Sequence, residues 1–222
     1  MPSPLGIMML DTSFARPSGD AGNPDSWPFP VVIETVSGAH ARAVVDGSFA
    51  DVSAFIAAGR RLVDRSACGI ITTCGFLVRH QRALEEALPV PIQTSTLTQY
   101  RRLQEKLNPL RVAVLTIDAA SIDESVRTAA GIEPAAIMAS LPANSHFVSA
   151  IFDGRESLDV SRCEREWVAL ALSCQRNHPD VGGWLFECAN MPPYSAAVQH
   201  ATGLTVYDAL SLGRELYASA SA

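Results

Sequence analysis

An apolar run that ends in a cysteine and turns on a small residue occurs twice in the chain, and this duplication restricts the fold more than any other feature. The first copy is Gly69-Ile70-Ile71-Thr72-Thr73-Cys74-Gly75-Phe76, and the second is Gly183-Trp184-Leu185-Phe186-Glu187-Cys188-Ala189-Asn190. Each places a glycine five residues before the cysteine; Pro91 then lies 17 residues beyond Cys74, and Thr205 lies 17 beyond Cys188. A run of this kind reads as a buried parallel strand passing into a helix. In an open α/β sheet the carboxyl ends of the strands face the ligand crevice, so a thiol there is presented to a bound molecule rather than to the core. Two half-chains on one plan are expected.

The other segments agree with βαβ units. Leu5 to Leu10 and Val31 to Val36 read as strands. A Ser48-Phe49-Ala50-Asp51 start leads into a helix with Val52, Phe55, Ile56, Gly59, Leu62 and Val63 on one face. Gly75 to Leu88 reads as helical, Val90 to Gln93 as a strand, and Thr94-Ser95-Thr96 as a helix cap. In the second half Arg111 to Leu115 repeats the first strand, with Thr116 at its exit where the first half has Asp11. Ala119 to Ala130 reads as a helix closed by Gly131, and Ala135 to Ala139 as a strand. Helices follow from Asp159 to Asn177 and from Asp208 to Tyr217, while Leu141 to Arg155 gives no clear pattern. The stretch from Ser13 to Pro30, rich in Pro, Gly and Asp, is a long loop of the sort that serves as a lid or binding loop.

At 222 residues, 48% hydrophobic and 18% charged, the chain has enough apolar side chains for a sizeable core. The net charge of −6 and the lack of a long Lys/Arg run argue against nucleic-acid binding. No segment reads as a signal peptide or a membrane span, which makes a cytoplasmic location the expectation. Five irregularly spaced cysteines suggest reduced thiols. Cys163, Trp167, Leu170 and Cys174 fall on one helical face and read as core, and Cys68 reads as structural. The scattered histidines offer no metal-binding spacing, and nucleotide-binding and serine-hydrolase motifs are missing.

With Leu10-Asp11-Thr12 after the first apolar run, Thr73-Cys74 and Glu187-Cys188-Ala189-Asn190-Met191-Pro192-Pro193-Tyr194 give the chain a resemblance to the aspartate/glutamate racemase superfamily. The resemblance implies two pseudo-symmetric parallel-sheet α/β domains with the active site in the cleft between them. The first would hold residues 1–96 plus 207–222, the second residues 97–206, and a homodimer is the expected assembly. It further implies cofactor-independent chemistry on a small carboxylate, with Cys74 and Cys188 as acid/base residues on opposite faces of the substrate. Asp11, Thr73, Gly75, Phe76, Ser95, Thr116, Ala189 and Asn190 are the candidate substrate-binding residues.

Racemisation removes a proton from one face of a carbanion and returns one to the other, which two opposed thiols can do directly. A free thiol titrates at about 8.5, and the helix N-termini expected after Gly75 and Ala189 would favour the thiolate. Racemases of this superfamily usually carry Asn-Thr after the first cysteine, and Thr with a charged residue after the second. Gly75-Phe76 and Ala189-Asn190 depart from that pattern and point away from free aspartate or glutamate toward a related carbon acid. A racemase is the first expectation. A lyase, of which the superfamily's algal dimethylsulfoniopropionate lyases are examples, or a decarboxylase is the second, since elimination begins with the same proton abstraction. A non-catalytic small-molecule sensor is the third.

Overall fold

The structure, a computed structural model, describes residues 2–49, 51–154 and 158–221. The apolar runs form the strands they suggest, because a parallel strand covered on both faces needs near-continuous hydrophobic sequence. In the first half these are β1 (Leu5–Leu10), β2 (Val31–Val36), β3 (Gly69–Thr72) and β4 (Ile92–Gln93). In the second they are β5 (Arg111–Thr116), β6 (Ile137–Ser140), β7 (Val181–Phe186) and β8 (Thr205–Tyr207). All pairings are parallel, and the two sheets have the same order, β2-β1-β3-β4 and β6-β5-β7-β8. The duplicated spacing is the sheet register itself. Gly183 stands opposite Thr205, and the Pro91 carbonyl accepts from Ile70 N–H at the corresponding edge of the first sheet.

Nine α-helices among the described residues cover the sheets: α1 (Ala41–Val45), α2 (Val52–Asp64), α3 (Gln81–Ala87), α4 (Tyr100–Leu107), α5 (Glu124–Ala130), α6 (His146–Asp153), α7 (Val160–Asn177), α8 (Ser195–Thr202) and α9 (Ala209–Ala220). Helix α2 buries Phe55, Ala58, Gly59 and Leu62 on the side facing β1 and β2. Helix α7 buries Cys163, Trp167, Ala171 and Cys174, the face foreseen for two of the core cysteines. The C-terminal helix α9 lies on the first sheet, where Leu210 and Leu216 join a cluster with Leu5, Ile7, Trp27 and Ile71. No helix among the described residues is long and apolar enough to cross a membrane.

Several expected boundaries shift for local reasons. Residues 75–88 are not one helix: a 3-10 turn spans Gly75–His80 before α3, with Leu77 N–H bonded to the Cys74 carbonyl. Strand β4 starts two residues later than expected, after Pro91, which has no N–H to give a ladder. Helix α5 begins at Glu124 rather than Ala119, because Asp118 holds Ala120 N–H and the Ser121 hydroxyl in a turn and Asp123 caps Val126 N–H. Asp51, not Ser48, caps α2; Ala50 of that expected box lies outside the described residues. The unpatterned stretch 141–155 contains α6, capped by Ser145; Arg155 lies outside the described residues.

The seat of α9 depends on one small residue. A Cβ added to Gly213 would stand 2.4 Å from Trp27 Cη2 and 2.6 Å from Cζ3, in a rigid ring that is 7% exposed. Gly213→Ala is expected to lower stability by roughly 1–3 kcal/mol, the usual cost of overpacking. Urea unfolding measures it, and an unchanged midpoint would contradict this packing.

Candidate active site

Each cysteine lies just past the third strand of its half, β3 or β7, and the residue before it bonds to the neighbouring central strand. In the first half Thr73 N–H donates to the Met8 carbonyl at 3.1 Å, and the Thr73 hydroxyl accepts from Leu10 N–H at 3.0 Å. In the second, Glu187 N–H donates to the Leu115 carbonyl at 2.9 Å, and Glu187 Oε2 accepts from Ile117 N–H at 3.4 Å. The chain then turns identically, with Leu77 N–H on the Cys74 carbonyl and Met191 N–H on the Cys188 carbonyl. The register therefore makes Thr73 the counterpart of Glu187, and it pairs Asp11 with Asp118. It does not pair Asp11 with Thr116, as the sequence comparison supposed.

Both cysteines line one small cavity with Thr73, Phe76, Glu187 and Asn190. Leu10, Ala41, Val45, Ile117, Ile151 and Phe152 make most of the remaining wall apolar, and Thr12 and Arg16 reach it from the start of the long loop. The cavity holds about 20 Å³ of water-accessible space, room for about one water molecule. A substrate of several heavy atoms enters only if the wall moves.

Four of the expected binding residues serve the protein instead of the cavity wall. The Thr116 hydroxyl donates to Glu187 Oε2 at 2.9 Å and so binds the protein's own carboxylate. Ser95 Oγ accepts from Leu97 N–H as a cap. Asp11 Oδ2 accepts from Gly38 N–H in an outer cleft beside His40 and Phe152. The Ala189 carbonyl accepts from Ala21 N–H at 3.1 Å. Gly75 is required by close approach: a Cβ there would lie 2.3 Å from Glu187 Oε1 and 2.6 Å from the Glu187 carbonyl oxygen.

Sequence reading gave no role to Glu187, yet it is the buried acid that both thiols feel. Burial pushes its carboxyl up to about 7, against the pull of the Thr116 hydroxyl and the N–H groups of Ile117 and Gly75. Burial, and then the charge of Glu187, push Cys74 up to about 12 and raise Cys188 well above the ordinary thiol range. The expectation that helix N-termini would lower both thiols is thus reversed. The N–H groups of Phe76 and Leu77 do favour the Cys74 thiolate, but they are outweighed by the loss of water.

The two thiols differ in their bonding. Cys188 Sγ donates to Asn190 Oδ1 at 3.3 Å, and Asn190 Nδ2 donates to Asp20 Oδ2 at 2.7 Å. A carboxylate only accepts, so Asp20 fixes the Asn190 amide with its oxygen toward the thiol and holds Cys188 as an S–H donor. Cys74 sulfur has no side-chain hydrogen-bond partner among the described residues, while backbone N–H groups favour the thiolate at both cysteines, those of Phe76 and Leu77 at Cys74 and that of Asn190 at Cys188. Asp20 is fully buried and ion-paired with Arg16 at 2.8 Å, so the 13–30 loop reaches into the site. Phe14, Arg16 and Asp20 gave only the signal of a long polar loop; nothing in their spacing marked them.

No known protein-family profile matches the chain. Among curated proteins it is similar to a dimethylsulfoniopropionate lyase of Durusdinium sp. clade D, 27% identical over 221 residues that cover 93% of this chain and 71% of that protein. It is also similar to dimethylsulfoniopropionate lyase 5 of Emiliania huxleyi (strain CCMP1516), 28% identical over 225 residues. That alignment covers 94% of this chain, which spans only 44% of that relative's length. Among solved structures, a variant of arylmalonate decarboxylase in a sulfate-associated form superposes with a TM-score of 0.65 at 18% identity, covering 98% of this chain and 93% of the other. Allantoin racemase from Klebsiella pneumoniae gives 0.61 at 14% identity, covering 97% and 86%. Glutamate racemase from Francisella tularensis subsp. tularensis SCHU S4 with D-glutamate gives 0.56 at 18%, covering 98% and 81%. Two like-ordered parallel sheets, each with a cysteine at the same strand end, give this chain the fold seen in arylmalonate decarboxylase, allantoin racemase and glutamate racemase.

Proposed function

We propose that the chain is a cofactor-independent lyase that abstracts the α-proton of a small carboxylate bearing a β leaving group, with dimethylsulfoniopropionate as the first substrate to test. Unequal bonding of the two thiols carries this reading. An elimination needs one base, whereas a racemase must use each thiol as base in turn. Cys74, whose thiol is not tied to any side chain among the described residues, is the base; Cys188, held as a donor by Asn190, stays protonated and supplies a hydrogen bond to the charge that develops on the substrate. The Cys74 thiolate takes the α-proton, the C–H electron pair becomes the new double bond, and the β-carbon–sulfur pair departs with neutral dimethyl sulfide, leaving acrylate and a thiol. The curated relatives support the same reaction type by name.

Racemisation is the second reading. The matched positions of Cys74 and Cys188 at two equivalent strand ends favour it, as does the fold shared with glutamate and allantoin racemases. Purified protein incubated with dimethylsulfoniopropionate should release acrylate and dimethyl sulfide in equal amounts by proton NMR and headspace analysis. Cys74→Ser should lower that rate by about 10²–10⁴, the usual contribution of a positioned base. Inversion of a chiral carbon acid without elimination would replace the lyase with the racemase.

Glu187 sets the pH behaviour in this account. Its charge is the second cause of the raised Cys74 thiol, so Glu187→Gln should shift the alkaline rise of Cys74 alkylation by iodoacetamide to lower pH. An unshifted profile would show that the two groups do not interact. The same substitution has a stability signature. The native carboxyl, raised from 4.5 to about 7, keeps a proton that the unfolded chain releases, so its contribution falls as pH rises through that interval. Urea unfolding at pH 4 and pH 8 should show the wild type losing roughly 3 kcal/mol relative to Glu187→Gln.

A further inference from the structure

Arg16 is the only cationic side chain among the described residues that line the cavity holding Cys74 and Cys188. It is fixed in place on every side. Its Nη2 donates to the Thr12 hydroxyl and its Nη1 to Asp20 Oδ1, both at 2.8 Å, and its guanidinium carbon lies 4.7 Å from the centre of the Phe14 ring. Gly22 leaves space for it, since a Cβ there would come within 2.8 Å of Arg16 Nε. The Arg16 side chain is 10% exposed and its partner Asp20 is fully buried, so this is a built position and not a surface charge that happens to fall nearby. Thr12 and Asp20 take one side-chain bond each from a group that has five N–H donors, which leaves capacity for a bidentate anion.

We propose that Arg16 binds the substrate's carboxylate and so sets the α-carbon against Cys74 and Cys188, making the 13–30 loop the element that selects acids. The inference rests on the small-carboxylate reading given above and adds the residue that recognises the acid. Three features of the wall support it. The other ionisable groups there are Glu187 and the two thiols, none of them a cation, so Arg16 is the position where a carboxylate meets a positive charge. Leu10, Val45, Phe76, Ile117, Ile151 and Phe152 suit the short carbon chain that would follow it. Arg16 is also tied through Asp20 and Asn190 to Cys188, so the cation that would hold the acid and the thiol donor belong to one hydrogen-bonded unit.

Iodoacetate and iodoacetamide test this without a known substrate, because they differ mainly in a carboxylate against a neutral amide. Alkylation of Cys74 and Cys188 at pH 9, followed by mass mapping, gives a rate ratio for the folded protein and for the urea-unfolded chain. In the folded wild type the preference for iodoacetate should exceed the unfolded ratio by about 10-fold or more, as a charge-assisted bidentate pair implies. Arg16→Gln should return the iodoacetate-to-iodoacetamide ratio to the unfolded value, and Arg16→Lys, which keeps a partner for Asp20, should fall between. Propanoate binding by calorimetry supplies a readout independent of thiol reactivity, with affinity at least about 10-fold weaker in both variants. A folded-state ratio equal to the unfolded one, a preference that survives Arg16→Gln, or equal propanoate binding would overturn the proposal. If the iodoacetate preference holds but no carbon acid is turned over, the reaction reading fails and the carboxylate site stands. Turnover with an unchanged KM in Arg16→Gln has the opposite meaning.

Discussion

The last amide of each central strand has to find an acceptor just where the sheet opens into the cleft, and the side chain before each cysteine supplies it. Leu10 N–H finds the Thr73 hydroxyl, and Ile117 N–H finds the Glu187 carboxylate. A buried N–H left unpaired there would cost about 1–3 kcal/mol, so some acceptor is obligatory at both places. The halves meet the requirement differently. A neutral hydroxyl in the first half has no long-range effect, whereas a carboxylate in the second places a titratable charge beside both thiols. Gly75 is the steric consequence, since only hydrogen fits against Glu187, and the raised thiols are the electrostatic one.

The second asymmetry comes from the loop. Asp20 is the buried link in a chain that runs from Arg16 through Asp20 and Asn190 to Cys188. A buried ion pair is not in itself a source of stability, but removing one partner leaves an uncompensated charge at a cost of about 3–5 kcal/mol. Docking of the loop and orientation of the Cys188 thiol are therefore linked. With Ala21 N–H bonded to the Ala189 carbonyl, the loop is attached to the second half next to its cysteine while its origin lies at the end of β1 in the first.

Much of this was legible in the sequence, and the parts that were not have physical reasons. The strand-end cysteines and the repeated 17-residue spacing were readable because parallel strands impose apolar continuity and a fixed register. Leu5–Leu10 and Val31–Val36 were read residue for residue. Thr116 was matched with Asp11 because both stand near a strand exit, and only hydrogen-bonded register shows that Asp118 is the counterpart. Glu187 received no role because strand alternation cannot say which way a side chain points once the strand has ended. The thiol shifts were expected with the opposite sign because helix termini are visible in sequence, while burial of a site between two halves is not. Arg16 and Asp20 sit in a segment without periodicity, where composition gives the loop but not its contacts.

The central claim is that the two thiols hold different roles, Cys74 as base and Cys188 as fixed donor. Exchange of the substrate α-proton in deuterated buffer, followed by NMR in the Cys74→Ala and Cys188→Ala variants on a carboxylate without a leaving group, tests it most directly. The account predicts that exchange is lost in Cys74→Ala and persists, more slowly, in Cys188→Ala. Equal exchange in both variants, each with its own enantiomer preference, would contradict it and identify a symmetric two-base site.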